Sequence, residues 1–217
     1  MGCTYTVSGP AKISAMPAPM ANEHDDDPLI YWSKLMSQGH GYAGVFNRGN
    51  DDKAIVEVST CAEWIRSALS VTGRRFGPVQ HNPRDPPDCW ITVDGERWGV
   101  ELVELVETQH KKRAKKGESP FSGDLFLDAQ WDFDRFENRI RTIVQEKDQK
   151  YAKASQTIDL LIIHTAEPWL ESRQAGDWLA AMPPLHASMI KRVSLLMEYE
   201  PGHAVEAWPM FMLLGEI

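Results

Sequence analysis

Asp94-Gly95 stands between two β-rich runs, Cys89 to Val93 and Arg97 to Val106. In that setting the dipeptide is the strongest short-range signal for a two-residue hairpin, because the favoured turn needs positive φ at both central positions. A tight turn fixes register, and register fixes which side chains meet. Counting outward from Val93 opposite Glu96 sets Thr92 against Arg97, Trp90 against Gly99 and Asp88 against Glu101. Ile91, Val93, Trp98, Val100 and Leu102 then share the other face, an apolar surface ready to pack on a helix.

Directly opposed residues have Cβ atoms roughly 4.5 to 5.5 Å apart, where like charges repel. Asp88 and Glu101 therefore need a proton or a cation between them, and a bound Mg²⁺ satisfies the requirement. The plainer alternative has Asp88 capping a turn after Pro87 and Glu101 as a solvated strand residue; a longer loop or a bulge would also undo the register.

A second constraint comes from a helix predicted from about Asp132 to Tyr151. At about 100° per residue, Phe136, Ile140, Ile143, Val144 and Tyr151 form one apolar stripe, and Lys147 falls near its centre with Lys150 on its edge. Arg139, Gln145 and Asp148 sit on the side expected to face solvent. An ammonium group inside an apolar stripe must reach water or an acid, so Lys147 either snorkels or points at a carboxylate.

Around these elements the chain reads as one α/β domain. Residues 1 to 28, rich in Ala, Pro, Ser and Met and ending in Asp25-Asp26-Asp27-Pro28, have no hydrophobic period and read as a disordered N-terminal tail. The domain occupies 29 to 217. A short helix is expected within Leu29 to Met36, and another from Ser59 or Thr60 to the breaker Gly73. Phe76 to His81 reads as a strand, and the three prolines of Asn82-Pro83-Arg84-Asp85-Pro86-Pro87 then forbid regular structure until Asp88. Ile158 to His164 is apolar except for Asp159, as in a strand buried on both faces. A helix near Gly176 to Ala181 and strands near Val193 to Tyr199 and Trp208 to Leu214 follow.

Composition narrows the function classes. No run approaches the roughly 18 apolar residues of a membrane span, and the opening residues show no secretory apolar run, which predicts a cytoplasmic protein without membrane contact. The three cysteines, Cys3, Cys61 and Cys89, are scattered, with no CxxC pair, so reduced thiols and no structural zinc are expected. A net charge of -8 excludes general coating of nucleic acid and confines any such contact to a local patch. One such patch is the run Lys111, Lys112, Arg113, Lys115 and Lys116, which follows the second hairpin strand directly and could grip a phosphate backbone or merely be a solvated loop.

Pro87-Asp88, a hairpin, Glu101 on its second strand, then a helix and a buried strand: this order resembles the PD-(D/E)XK superfamily, the restriction-endonuclease-like nucleases, over about residues 59 to 164. The resemblance implies an αβββαβ core with a mixed central sheet flanked by helices, here with extra C-terminal strands. It further implies Asp88 and Glu101 as ligands of Mg²⁺ or Mn²⁺, the Leu102 carbonyl completing the metal shell, and hydrolysis of phosphodiester bonds in DNA or RNA. The family's lysine belongs two residues after the glutamate, where this chain has Val103. Some members supply it from the following helix, which makes Lys147 the candidate catalytic lysine and Lys150 the second. Glu57 or Glu63 of the first helix could add a further acid.

The main alternative is a catalytically inactive domain of the same fold that binds nucleic acid or protein, since Val103 leaves the usual lysine position empty. A glycosidase couple also matches two acids about 5 Å apart, but the sequence offers no obvious sugar-stacking platform. A homodimer is compatible with the sequence.

Overall fold

The structure, a computed structural model, describes residues 50–106, 112, 113, 116, 130–165, 167, 170–197 and 207–217. The N-terminal tail and the Leu29 to Met36 helix lie outside them. In chain order the elements are α1 (Asn50–Val71), β1 (Gln80–His81), β2 (Cys89–Val93), β3 (Glu96–Glu104), α2 (Phe133–Ala154), β4 (Leu160–Thr165), α3 (Ser172–Ala181), β5 (Val193–Met197) and β6 (Met210–Leu214). The fold is mixed α/β: one open sheet of six strands in sequential order, flanked by helices.

Pairing alternates in kind across the sheet. β1, β2 and β3 are antiparallel neighbours, β3, β4 and β5 are parallel, and β6 returns antiparallel to β5. The parallel β3 to β4 step needs a crossover, and α2 lies in that connection.

Asp94 and Gly95 both take positive φ, 49° and 93°, and make the two-residue turn. Its register is the one the dipeptide dictates: Val93 pairs with Glu96, Thr92 with Arg97, Ile91 with Trp98, Trp90 with Gly99 and Cys89 with Val100. The Asp94 side chain also accepts from the Arg75 amide at 3.0 Å, tying the turn to the segment after α1.

Two cores follow from strand alternation. On one face Cys61, Trp64 and Ala68 of α1 pack on Ile91, Val93, Trp98 and Val100 of the hairpin and on Leu160 and Ile162. On the other, Phe136, Ile140, Ile143, Val144 and Tyr151 of α2, the stripe read from the sequence, pack on Leu161, Ile163, Val193 and Leu195. β4 thus contributes to both, as a strand buried on two faces must. Asp159, the polar exception before it, accepts from the Gly99 amide at 2.8 Å and pairs with Lys191 at 2.7 Å.

The start of α1 and the surroundings of Asp148 differ from expectation. α1 does not begin at Ser59 or Thr60 but nine residues earlier by number, at Asn50. The Ser59 hydroxyl donates back to the Val56 carbonyl at 3.0 Å inside the helix, instead of capping its start. Asp148 of α2 is not simply solvated either: its carboxylate accepts from the amides of Ser188 and Met189, which fastens the helix to the approach to β5.

Candidate metal centre

The β2–β3 ladder ends at the Cys89–Val100 pair, and Asp88, the residue just before β2, lies beside Glu101 of β3, with one carboxylate oxygen of each within 4.8 Å of the other. Both are buried, at 6% and 2% relative exposure. The Leu102 amide donates to Asp88 Oδ2 at 2.8 Å, so the backbone of β3 itself holds the Asp88 carboxylate. Leu102 thus reaches the site by its N–H.

α2 brings cations to Glu101. Lys147 Nζ lies 2.6 Å from Glu101 Oε1 and Lys150 Nζ 3.5 Å from the same oxygen. Of the two, Lys147 is the more enclosed, with 21% of its side chain exposed against 52%. It therefore points inward at a carboxylate, and the snorkelling alternative does not hold. Val103, in the position two residues after Glu101, packs against the α2-side core.

The second oxygen, Glu101 Oε2, is buried without a hydrogen-bond partner. The Tyr151 hydroxyl is also buried without a well-formed hydrogen bond. Burial first, and then contact of the hydroxyl with the Glu101 carboxylate, push its pKa well above the ordinary tyrosine range, so the two groups are neighbours whose geometry falls short of a hydrogen bond. A buried carboxylate oxygen without a well-formed hydrogen bond costs free energy and leaves room for a further partner.

Asp88 shows the same strain electrostatically. Burial first, and the Glu101 charge second, push its pKa up to about 7, against the Leu102 hydrogen bond that lowers it. A proton or a cation resolves the conflict.

Two residues that sequence reasoning did not select complete the cluster. Asp85 joins Asp88 and Glu101, with one carboxylate oxygen from each within 4.8 Å of the others. It is placed there by the proline-rich turn: the Asn82 side-chain amide donates to the Pro87 carbonyl at 2.7 Å, and Gln156 Nε2 donates to the Pro86 carbonyl at 3.3 Å. Lys53, on the first turns of α1, lies 3.1 Å from both Glu57 and Asp85 and 3.8 Å from Asp88. Burial alone would lower its pKa, but the Asp85 and Glu57 carboxylates outweigh that and hold it above the ordinary lysine range.

Of the two α1 acids considered from the sequence, Glu57 is the one at the site, its other oxygen 3.3 Å from His81 Nε2. Glu63 pairs with Arg66 at 2.8 Å instead. Lys53 with Glu57 is an i, i+4 pair, the one sequence signal that could have drawn attention to it.

Within the basic run, Lys111 and Lys115 lie outside the described residues, and Lys112 and Lys116 are exposed. Cys61 and Cys89 are free thiols in the α1-side core; contact with Cys89, then burial, raises the Cys61 pKa. Cys3 lies outside the described residues. No described helix is long and apolar enough to cross a membrane.

No protein-family model, curated protein or solved structure matches this chain.

Proposed function

We propose that this chain is a divalent-metal-dependent nuclease that hydrolyses phosphodiester bonds of DNA or RNA. In this reading the element order α1-β1-β2-β3-α2-β4 is the αβββαβ core of the restriction-endonuclease-like fold, and α3, β5 and β6 are additions to it. The observation that carries the reading is Glu101: a buried carboxylate beside Asp88, with Lys147 on one oxygen and no well-formed hydrogen bond on the other. An acid cluster alone is common; one with an unsatisfied buried oxygen and a carboxyl group pushed up to about 7 is poised for a cation.

Asp88, Glu101 and Asp85 fit a hard cation such as Mg²⁺ or Mn²⁺, because all three offer oxygen donors. A bound divalent ion supplies polarisation of the scissile phosphate and a lowered pKa for water. The protein's share is positioning. The Leu102 amide fixes the Asp88 carboxylate, and Lys147, anchored on a long helix, holds an attacking water or offsets charge developing on the phosphate. Lys150, more exposed on the same oxygen, is the reserve cation.

The second reading, a silent domain of the same fold that binds nucleic acid or protein, is favoured by Lys53. Its ammonium partly neutralises Glu57, Asp85 and Asp88 with no metal at all. A cleavage screen with Mg²⁺ or Mn²⁺ over single-stranded DNA, duplex DNA and RNA separates the two. Activity lost in Asp88→Ala and in Lys147→Ala, both still folded, is the expected result. Absence of cleavage on every substrate, together with no Asp88-dependent heat on titration with Mn²⁺, would leave the silent domain.

A further inference from the structure

We infer that the hairpin face left uncovered by the described helices carries a binding site for an unpaired nucleobase and its phosphate, built from Trp90 and Arg97. The inference rests on the nuclease reading for the class of ligand and extends it to the state of the substrate: single-stranded where it meets this face.

Strand alternation puts Trp90 and Thr92 of β2 on the face of Asp88, and Arg97 and Gly99 of β3 on the face of Glu101. The described helices leave this end of the sheet open: α2 packs on β4 and β5, and α1 on the opposite face. The Arg97 guanidinium carbon stands 4.1 Å from the centre of the Trp90 ring, a stacked cation–π pair. Gly99 lets the indole come down against β3, since an added Cβ would lie 3.2 Å from Trp90 Cζ3 and 3.1 Å from Pro87 Cγ.

Beside this pair is a cavity of about 220 Å³ lined by Pro78, Gln80, Trp90, Ile91, Thr92 and Arg97. It is smaller than the roughly 300 to 1,000 Å³ of a drug-sized pocket, and so suits one ring system. The Gln80 amide and the Thr92 hydroxyl offer donors and acceptors for base edges. Arg97 is exposed, and among the described residues no carboxylate lies within ion-pair distance of it. On a chain of net charge -8 that is a local cation with free N–H groups for a phosphate.

The geometry also gives continuity with the acids. Trp90 is two residues from Asp88 along β2, and Arg97 four from Glu101 along β3, a span of ~13 Å at ~3.3 Å per residue. About four stacked nucleotides, at ~3.4 Å each, cover it. A base inside a duplex already has both faces covered by its neighbours, so an aromatic and guanidinium platform selects bases that are free to stack.

The test is binding in EDTA, where cleavage does not interfere, by fluorescence anisotropy with a labelled single-stranded oligonucleotide and the duplex of the same sequence. The expected result is tighter binding of the single strand, weakened about 5- to 150-fold by Trp90→Ala and largely kept by Trp90→Phe. Arg97→Gln, which leaves the ring in place and decides the matter should Trp90→Ala not fold, weakens binding. It also lowers the slope of log affinity against log salt by about 0.7. Binding of the single strand no tighter than the duplex, or wild-type affinity and salt slope in Arg97→Gln, overturns the inference even where cleavage is intact. Trp90-dependent binding without any cleavage sustains it and sinks the nuclease reading alone.

Discussion

Glu101 and Asp88 belong to one carboxylate cluster, yet they are held in opposite ways. Glu101 is reached by two ammonium groups from one long helix, at 2.6 and 3.5 Å. Asp88 is held by a backbone amide, and among the described residues the cation within ion-pair range of it is Lys53, 3.8 Å away and half exposed. The deep half of the site is anchored on α2, which carries five buried core residues along its length. The rim half is assembled from the start of α1 and the proline-rich turn. A firmly held carboxylate beside an electrostatically strained one gives a cluster whose shape is fixed while its charge is only partly compensated.

The largest effect should come from breaking the anchored half. Removing the Glu101 carboxylate leaves Lys147 enclosed and without its acid, and taking one partner from a buried pair costs about 3 to 5 kcal/mol. Relief of the repulsion on Asp88 and partial access of Lys147 to water put Glu101→Ala at the lower end, about 3 kcal/mol. Denaturant titration in EDTA reads this as a lower midpoint with unchanged slope. A midpoint equal to wild type would show that the lysines stabilise nothing through Glu101.

That asymmetry also explains what the sequence could and could not reveal. The register of the hairpin follows from Asp94-Gly95, and the inward lysine from the α2 period; both are local signals, readable over a few residues. The two missed members are placed by distant groups. Asp85 depends on Asn82 and Gln156 gripping a turn that proline content alone describes only as irregular. Lys53 was lost because Ser59 and Thr60 look like a helix start, while the helix runs back to Asn50. The glutamine that fixes the proline turn is separated from Pro86 by 70 positions, a contact no periodicity encodes.

Substituting the rim carboxylate should do the reverse of substituting the deep one. Asp88 has a folded pKa pushed up to about 7, whereas an unfolded aspartate titrates near 3.9. Between those values the native chain keeps a proton that the unfolded chain has lost, so stability falls as pH rises through this window and levels off above it. Asp88→Asn, whose carbonyl can still accept from the Leu102 amide, removes the penalty and should stabilise the protein by about 2 kcal/mol at pH 8 in EDTA, with little change at pH 4. Melting curves across this range should therefore converge at the acid end. A shallower fall should persist in the variant up to about pH 8, because burial pushes Glu167 to about 8 independently. Equal destabilisation at both pH values would mean that Asp88 is a structural hydrogen-bond acceptor and nothing more.

The smallest effect distinguishes the two lysines that share Glu101 Oε1. Lys150 is half exposed and sits at 3.5 Å, a distance at which an ion pair near the surface contributes roughly 0 to 1 kcal/mol. Its ammonium also lies 5.1 Å from the centre of the Tyr151 ring, a second weak attraction of similar size. Lys150→Ala should accordingly shift the unfolding midpoint by no more than about 1 kcal/mol, and 0.5 M salt should erase most of the difference, since exposed charges are screened. Lys147→Ala, more enclosed and closer to the carboxylate, should cost more and respond less to salt. Comparable losses from the two variants, with the same salt dependence, would mean that α2 presents a diffuse positive edge and not one directed ammonium, and the contrast between the anchored and the strained halves of the site would have to be redrawn around both lysines together.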